Sequence, residues 1–162
     1  MDTDTLIKIV RLSFSSIVGP YEVLDVLHAE ERLVIPHAVK VELEHEGIDR
    51  IISWIRTNPT VVAERSEDVI EQVGYLASRF EGYWDIAKYP DEADPWVIAE
   101  AMRRHGPLNG QMFGDTCTVV TQESTKKPRR IPAVCGELSL PCTDFDGLCE
   151  GEGWEIGLRP RD

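Results

Sequence analysis

The stretch LVIPHAVKVEL at residues 33–43 decides the fold class. Its first three residues form a short apolar run that Pro36 closes, which is typical of a buried strand. Residues 37–46 then favour a helix, and Gly47 follows as its predicted C-cap. A buried strand that leads directly into a helix is a building unit of α/β domains.

The same alternation continues along the chain. Further apolar runs predict strands at residues 60–62 and 117–120. Apolar spacing and turn residues predict helices at residues 5–12, 21–30, 48–57, 66–80 and 94–104. Strands that alternate with helices indicate an α/β fold with a mainly parallel sheet. In such a sheet the active site forms at the carboxyl ends of the strands.

Composition is that of a single globular domain. Of the 162 residues, 42% are hydrophobic and 28% are charged. No apolar run approaches the ~20 residues that cross a bilayer, and the acidic start Met1-Asp2-Thr3-Asp4 lacks the basic residues of a signal peptide. We therefore expect a cytoplasmic protein with no membrane partner. The formal net charge of -12 counts against a nucleic-acid ligand, although acids gathered at a metal site would contribute to it.

The cysteines lie in the last third of the chain, and none forms a C-x-x-C pair. This spacing is poor for structural zinc. Free thiols that pack as small hydrophobic groups are the expected state, with zinc or a disulfide as the alternatives. The residues concerned are Cys117, Cys135, Cys142 and Cys149.

Acidic residues fall near the predicted strand ends and helix starts. Asp2 and Asp4 begin the first helix, and Glu42 lies in the helix after the first strand. Asp94 precedes a proline, which predicts a helix N-cap, and Glu123 follows the last strand. Crowded carboxylates repel unless a cation neutralises them, and Mg²⁺ prefers carboxylate and water oxygens. The alternative is that these acids only cap helices.

Several segments, taken in order, resemble the PIN-like superfamily. Residues 2–7 (DTDTLI) resemble its D-T-[ND]-x-[LF]-I start, and residues 35–43 (IPHAVKVEL) resemble its I-P-x-x-V-x-x-E-L segment. Three further segments are more similar to an uncharacterised branch of that superfamily: residues 93–99 (ADPWVIA), 119–123 (VVTQE) and 127–135 (KPRRIPAVC). The resemblance covers residues 2–146.

This resemblance implies a three-layer α/β/α sandwich with a mainly parallel central sheet. Residues 1–146 would form the PIN-like nuclease domain. Residues 147–162 lie beyond the resemblance, and their Gly-rich composition predicts a flexible C-terminal tail. The cofactor implied is Mg²⁺ or Mn²⁺, and the activity is RNA cleavage, as in toxins of bacterial toxin–antitoxin pairs. An antitoxin protein is then an expected partner, and a homodimer is left open.

By matching position, the resemblance assigns four catalytic and metal-binding acids: Asp2, Glu42, Asp94 and Glu123. Asp4 would be an extra metal ligand, and Thr121 would orient the last carboxylate or a metal-bound water. Two features depart from the superfamily. A strand normally precedes the first acid, whereas only Met1 stands before Asp2 here, and the fourth acid is Glu instead of the usual Asp.

A dense basic run follows Glu123 and has two interpretations. It could bind RNA phosphates beside the metal, or it could be a solvated loop. The run consists of Lys126, Lys127, Arg129 and Arg130. The leading hypothesis is a metal-dependent endoribonuclease that acts through metal-activated water. The alternatives are a non-enzymatic PIN-like domain that binds a partner protein or RNA, and a small-molecule phosphatase.

Overall fold

Helices dominate the computed structural model, which describes residues 1–12, 20–109 and 114–154. The helices of these ranges are α1 Thr3–Leu12, α2 Pro20–Ala29, α3 His37–His45, α4 Asp49–Thr57, α5 Glu67–Arg79, α6 Ala93–Arg104, α7 Ile131–Leu138 and α8 Phe145–Gly151. The strands are β1 Ile35–Pro36, β2 Val62–Ala63, β3 Val119–Val120 and β4 Cys142–Thr143, and short 3-10 turns cover Pro59–Val61 and Gly106–Asn109. The chain is therefore a mixed α/β protein, as predicted.

The strands pair in two small parallel sheets. β1 pairs with β2, with Ile35 opposite Val62, and β3 pairs with β4, with Val119 opposite Cys142. The parallel pairing is as predicted, because each pair is joined by a connection that contains helices. One continuous central sheet is not among the described residues, and the three-layer sandwich stays a prediction.

Residues 1 and 2 lie between the two sheets. The Met1 amino group donates to the Val34 carbonyl oxygen at 3.2 Å, and the Asp2 N–H donates to the Val120 carbonyl oxygen at 3.0 Å. The backbone groups on either side of Val120 face β4 instead, since the N–H groups of Val119 and Thr121 donate to residues 141 and 143. Asp2 is therefore held where the edges of both sheets meet.

Helix α6 is the centre of the core. It packs against α3, α5, α7, β1 and β3, so its apolar residues are covered on most sides. Ile98 and Ala99 are fully buried. Trp96, predicted to pack in the core, is buried, and the Arg65 guanidinium lies 4.5 Å from its ring centroid. Helix α6 thus contacts one strand of each sheet.

The structure corrects the start of α6. Asp94 is not the N-cap, because the helix begins at Ala93 and its N-cap is Glu92, which makes no side-chain capping hydrogen bond. Asp94 lies in the first turn. A carboxylate in the first turn still interacts favourably with the helix dipole, but it is not needed to close the end of the helix.

The C-terminal region is more ordered than predicted as far as it is described. Helix α8, Phe145–Gly151, crosses the predicted boundary at residue 146. The Asp144 side chain caps it by accepting from the Gly147 N–H at 2.8 Å, and Phe145 and Cys149 are buried. Residues 147–154 thus belong to the described fold, whereas the rest of the predicted tail, residues 155–162, lies outside the described residues.

Two further predictions concern cysteines and membranes. The four cysteines are free thiols, and Cys135 and Cys149 are buried, in line with small hydrophobic packing. In the ranges that the structure describes, no helix is both long and apolar enough to cross a membrane.

Candidate functional site

Carboxylates from four parts of the chain gather around Asp94. Burial and, to a smaller extent, the negative charges of Glu123, Glu92, Glu42 and Asp2 together raise the pKa of Asp94 to about 7. Each of these charges acts on Asp94 only because its carboxylate lies nearby. The structure therefore brings the four predicted acids, Asp2, Glu42, Asp94 and Glu123, to one place.

Asp2 is the most buried of these acids. Its side chain accepts from the Thr5 N–H at 2.8 Å, so it caps the start of α1. The other carboxylate oxygen accepts from the Thr121 hydroxyl. Both bonds come from groups inside the protein, and they fix the direction in which the Asp2 carboxylate points.

Glu42 lies on α3, the helix that directly follows β1. Its carboxylate accepts a hydrogen bond from the Thr3 hydroxyl, and Thr3 itself is buried. The bond connects α3 to the first turn of α1. Sequence reasoning missed Thr3, since its partner is 39 positions away along the chain and no local pattern reports such a contact.

Glu123 follows β3 and holds the start of α7. One of its oxygens accepts from the Ile131 N–H at 2.7 Å, and the other accepts from the Arg130 guanidinium at 2.7 Å. The first N–H groups of a helix lack partners within the helix, so a carboxylate that accepts from one of them stabilises the helix start. Glu123 therefore already has a structural role beside any catalytic one.

Thr121 links two of the acids. Its side chain is buried, donates to Asp2, and accepts from the Glu123 N–H at 3.1 Å. The hydroxyl therefore fixes both the Asp2 carboxylate and the backbone that carries Glu123. These two hydrogen bonds would be the physical basis of the orienting role predicted for Thr121.

Asp94 differs from Asp2, Glu42 and Glu123, each of which accepts side-chain hydrogen bonds. Within the described ranges its carboxylate makes no hydrogen bond, although it is partly buried. A crowded carboxylate without a donor keeps its proton more readily, which agrees with its raised pKa. Its two oxygens are accordingly available to a cation or to a proton.

The positions of two acids, Asp4 and Glu92, relative to Asp94 differ from the prediction. Asp4 is exposed in the first turn of α1, and it is not among the carboxylates whose charges raise the pKa of Asp94. Glu92, which sequence reasoning missed, is among them. Burial raises the pKa of Glu92, and the charges of Glu42 and Asp85 raise it further. Its position two residues before Asp94 was the available signal.

The basic run lies beside this acidic cluster, defined as Asp2, Glu42, Glu92, Asp94 and Glu123. All four basic residues of the run are exposed. Arg130 is the member that reaches the cluster, through its ion pair with Glu123. The predicted phosphate-binding role of the run remains a prediction.

The carboxylates of the acidic cluster suit a hard divalent cation, although they are not already arranged as a metal site. In the described part of the chain, no three carboxylate, histidine or cysteine groups are arranged to hold a metal ion. The chemistry nevertheless fits, because an all-carboxylate cluster is the ligand set that Mg²⁺ and Mn²⁺ prefer. Glu42 and Glu123, which accept hydrogen bonds from Thr3, Arg130 and the Ile131 N–H, are the members that would hold it together with Asp2 and Asp94.

Comparison with known proteins gives a family but no activity. Residues 1–156 match the model of the family described as a domain of unknown function, DUF4411. The chain belongs to the DUF4411 family. The match takes in α8 and therefore extends past the predicted domain boundary at residue 146. Searches of curated proteins and of solved structures gave no match.

Proposed function

We propose that this member of the DUF4411 family is a metal-dependent endoribonuclease. The observation that carries the proposal is the convergence of carboxylates on Asp94, whose pKa burial and four neighbouring negative charges raise to about 7. A protein gains no stability from such a crowd of like charges unless a cation or proton neutralises it. A divalent metal ion would neutralise the cluster at physiological pH.

The fold we propose for it is a PIN-like three-layer sandwich. Two parallel pairs, β1–β2 and β3–β4, lie on either side of residues 1 and 2, which hydrogen-bond to both sides. This supports a single central sheet interrupted at its middle. Parallel sheets are covered by helices on both faces, which agrees with the predominance of helices.

The roles follow from position in the cluster. Asp2, Asp94 and Glu123 would hold the metal, and Glu42 would hold metal or orient a water molecule. Bound Mg²⁺ or Mn²⁺ would lower the pKa of a coordinated water and stabilise charge on a phosphoryl oxygen. Thr121 keeps Asp2 in place through its hydroxyl.

RNA and an antitoxin are the partners that fit the charges. Lys126, Lys127 and Arg129 are exposed next to Glu123 and would bind phosphates. The formal net charge of -12 leaves most of the surface suited to a basic protein partner. We therefore propose that the chain is the toxin of a toxin–antitoxin pair.

Cleavage of RNA by matched variants tests the proposal. Asp94→Asn removes the charge, and Asp68→Asn makes the same change at the corresponding first-turn position of α5, where the side chain is exposed. With a mixed single-stranded RNA and Mn²⁺, we expect cleavage by the native protein and by Asp68→Asn but not by Asp94→Asn. Equal cleavage by all three proteins would contradict the assignment.

A binding protein without catalytic activity is the second candidate. The observation in its favour is that Asp2, Glu42 and Glu123 are each already held by hydrogen bonds within the chain. These acids would then fix α1, α3 and α7 to one another. Absence of cleavage by the native protein under the same conditions, with RNA or a partner protein bound, would favour this candidate.

A further inference from the structure

Arg129 and Tyr83 form a second feature beside the acidic cluster. The Arg129 guanidinium carbon lies 5.3 Å from the centroid of the Tyr83 ring, which is within the range of a cation–π contact. We propose that this arginine–tyrosine pair, the stacking pair, binds an unpaired base of single-stranded RNA next to the site of cleavage. The proposal rests on the proposed function, because it takes RNA as the ligand.

The aromatic side of the stacking pair is firmly supported. Tyr83 is half-buried and packs against Phe80 and Trp84, with ring centroids 5.4 and 5.9 Å away. Trp84 and Phe80 are both part of the buried core. The Tyr83 ring is therefore held in place by the fold, so that binding a ligand would cost little side-chain entropy.

The arginine side is open to solvent. Arg129 is exposed, and it makes no ion pair with any carboxylate in the described ranges. Its backbone has φ of 63°, a left-handed conformation that is uncommon for a residue with a side chain. Such strain persists where the surrounding structure imposes it. Here it belongs to a residue whose guanidinium carbon lies over the Tyr83 ring and whose side chain is exposed.

The position of the stacking pair connects it to the acidic cluster. Arg130, the next residue, pairs with Glu123 at 2.7 Å, and Lys126 and Lys127 lie exposed on the same loop. An RNA strand with one phosphate at the acidic cluster would lie beside a single loop that supplies both positive charge and a planar guanidinium group. Arginine planes and aromatic rings stack unpaired bases, whereas bases inside a duplex are not accessible to them.

The test uses a variant that keeps the positive charge of Arg129 but removes its planar guanidinium group. Arg129→Lys keeps the positive charge and lacks the guanidinium, and Arg50→Lys makes the same change on α4, where Arg50 lies 5.8 Å from the Tyr21 ring centroid. Binding of a labelled, unpaired RNA 12-mer is measured by fluorescence anisotropy with EDTA present, so that nothing is cut. Thermal melting checks that each variant folds.

Stacking of one base is worth about 5- to 150-fold in affinity. We expect Arg129→Lys to raise the Kd for the unpaired RNA at least about fivefold and to leave the salt dependence of binding unchanged, because the charge is kept. Arg50→Lys should bind as the native protein does. Lys127→Gln should instead reduce the slope of log Kd against log salt by about 1.

The outcomes separate this proposal from the nuclease proposal. Unchanged RNA affinity in Arg129→Lys, equal weakening in Arg50→Lys, or equally tight binding of duplex RNA would overturn the stacking pair while leaving cleavage to be judged separately. Binding that depends on Arg129 without any cleavage in Mn²⁺ would support the stacking pair and overturn the nuclease. No binding of RNA by the native protein would overturn the stacking pair.

Discussion

Removing the charge of Asp94 should stabilise the protein, and the gain should grow with pH. The pKa of Asp94 rises from 3.8 to about 7 on folding, which corresponds to roughly 4 kcal/mol against the folded state once the group is ionised. The sign follows from proton binding. Between these two values the folded state holds the proton more often, so the free energy of unfolding falls as pH rises.

The magnitude can be followed through Asp94→Asn. About half of this decrease in the free energy of unfolding has occurred by pH 5.5, and the free energy falls by roughly 2 kcal/mol more between pH 5.5 and pH 8. The variant lacks this loss, and each kcal/mol moves Tm by about 2–4 °C in a chain of this size. The Tm difference between the variant and the native protein should therefore grow by about 4–8 °C over that interval.

The assay is thermal melting by circular dichroism in metal-free buffer at several pH values. Measurements stay above pH 5.5 because the sequence pI is about 4.7 and proteins associate near zero net charge. Asp68→Asn is the control, and it should lose about 0.3–1 kcal/mol of helix-dipole stabilisation with little dependence on pH in this range. A Tm difference for Asp94→Asn that is negative, or flat between pH 5.5 and 8, would refute the reasoning.

Three further predictions concern the supporting contacts. Thr121→Val leaves the buried Asp2 carboxylate without one donor, so it should destabilise the fold by about 1–3 kcal/mol in urea unfolding, and Thr121→Ser should recover most of that loss; equal stability of the two variants would contradict the hydrogen bond. Phe145→Ala should cost about 3–5 kcal/mol in the same assay, because Phe145 is fully buried; a cost near zero would contradict the packing of α8 against the core. Arg130→Gln should weaken RNA binding at low salt and tighten Mn²⁺ binding in calorimetry, since it frees one oxygen of Glu123; weaker Mn²⁺ binding would show that Arg130 does not compete with the metal.

The strand-to-helix pattern was readable from sequence because its signals are local. The apolar run closed by Pro36 and the helix that follows it appear in the structure as β1 and α3. The same kind of local signal predicted α4, α5 and most of α6. β4 was missed because two residues, Cys142 and Thr143, are too few to show alternation, and their pairing with β3 is a long-range contact.

Four members of the acidic cluster were predictable from the sequence, whereas Glu92 and the hydrogen-bond partners of the acids were not. Position relative to strand ends and the resemblance selected Asp2, Glu42, Asp94 and Glu123, and the structure brings them together. Their partners could not be predicted, because the Thr3–Glu42 and Thr121–Asp2 bonds join residues 39 and 119 positions apart. The raised pKa of Asp94 likewise depends on burial, which only the folded chain defines.

Direct measurement of Mn²⁺ binding tests the central claim that the acidic cluster is a metal site. Calorimetric titration, or electron paramagnetic resonance of free Mn²⁺, would be applied to the native protein, Asp94→Asn and Asp68→Asn at pH 8. We predict saturable binding by the native protein and by Asp68→Asn, and loss of that binding in Asp94→Asn. No saturable binding by the native protein at millimolar Mn²⁺, or equal binding by Asp94→Asn, would contradict the claim.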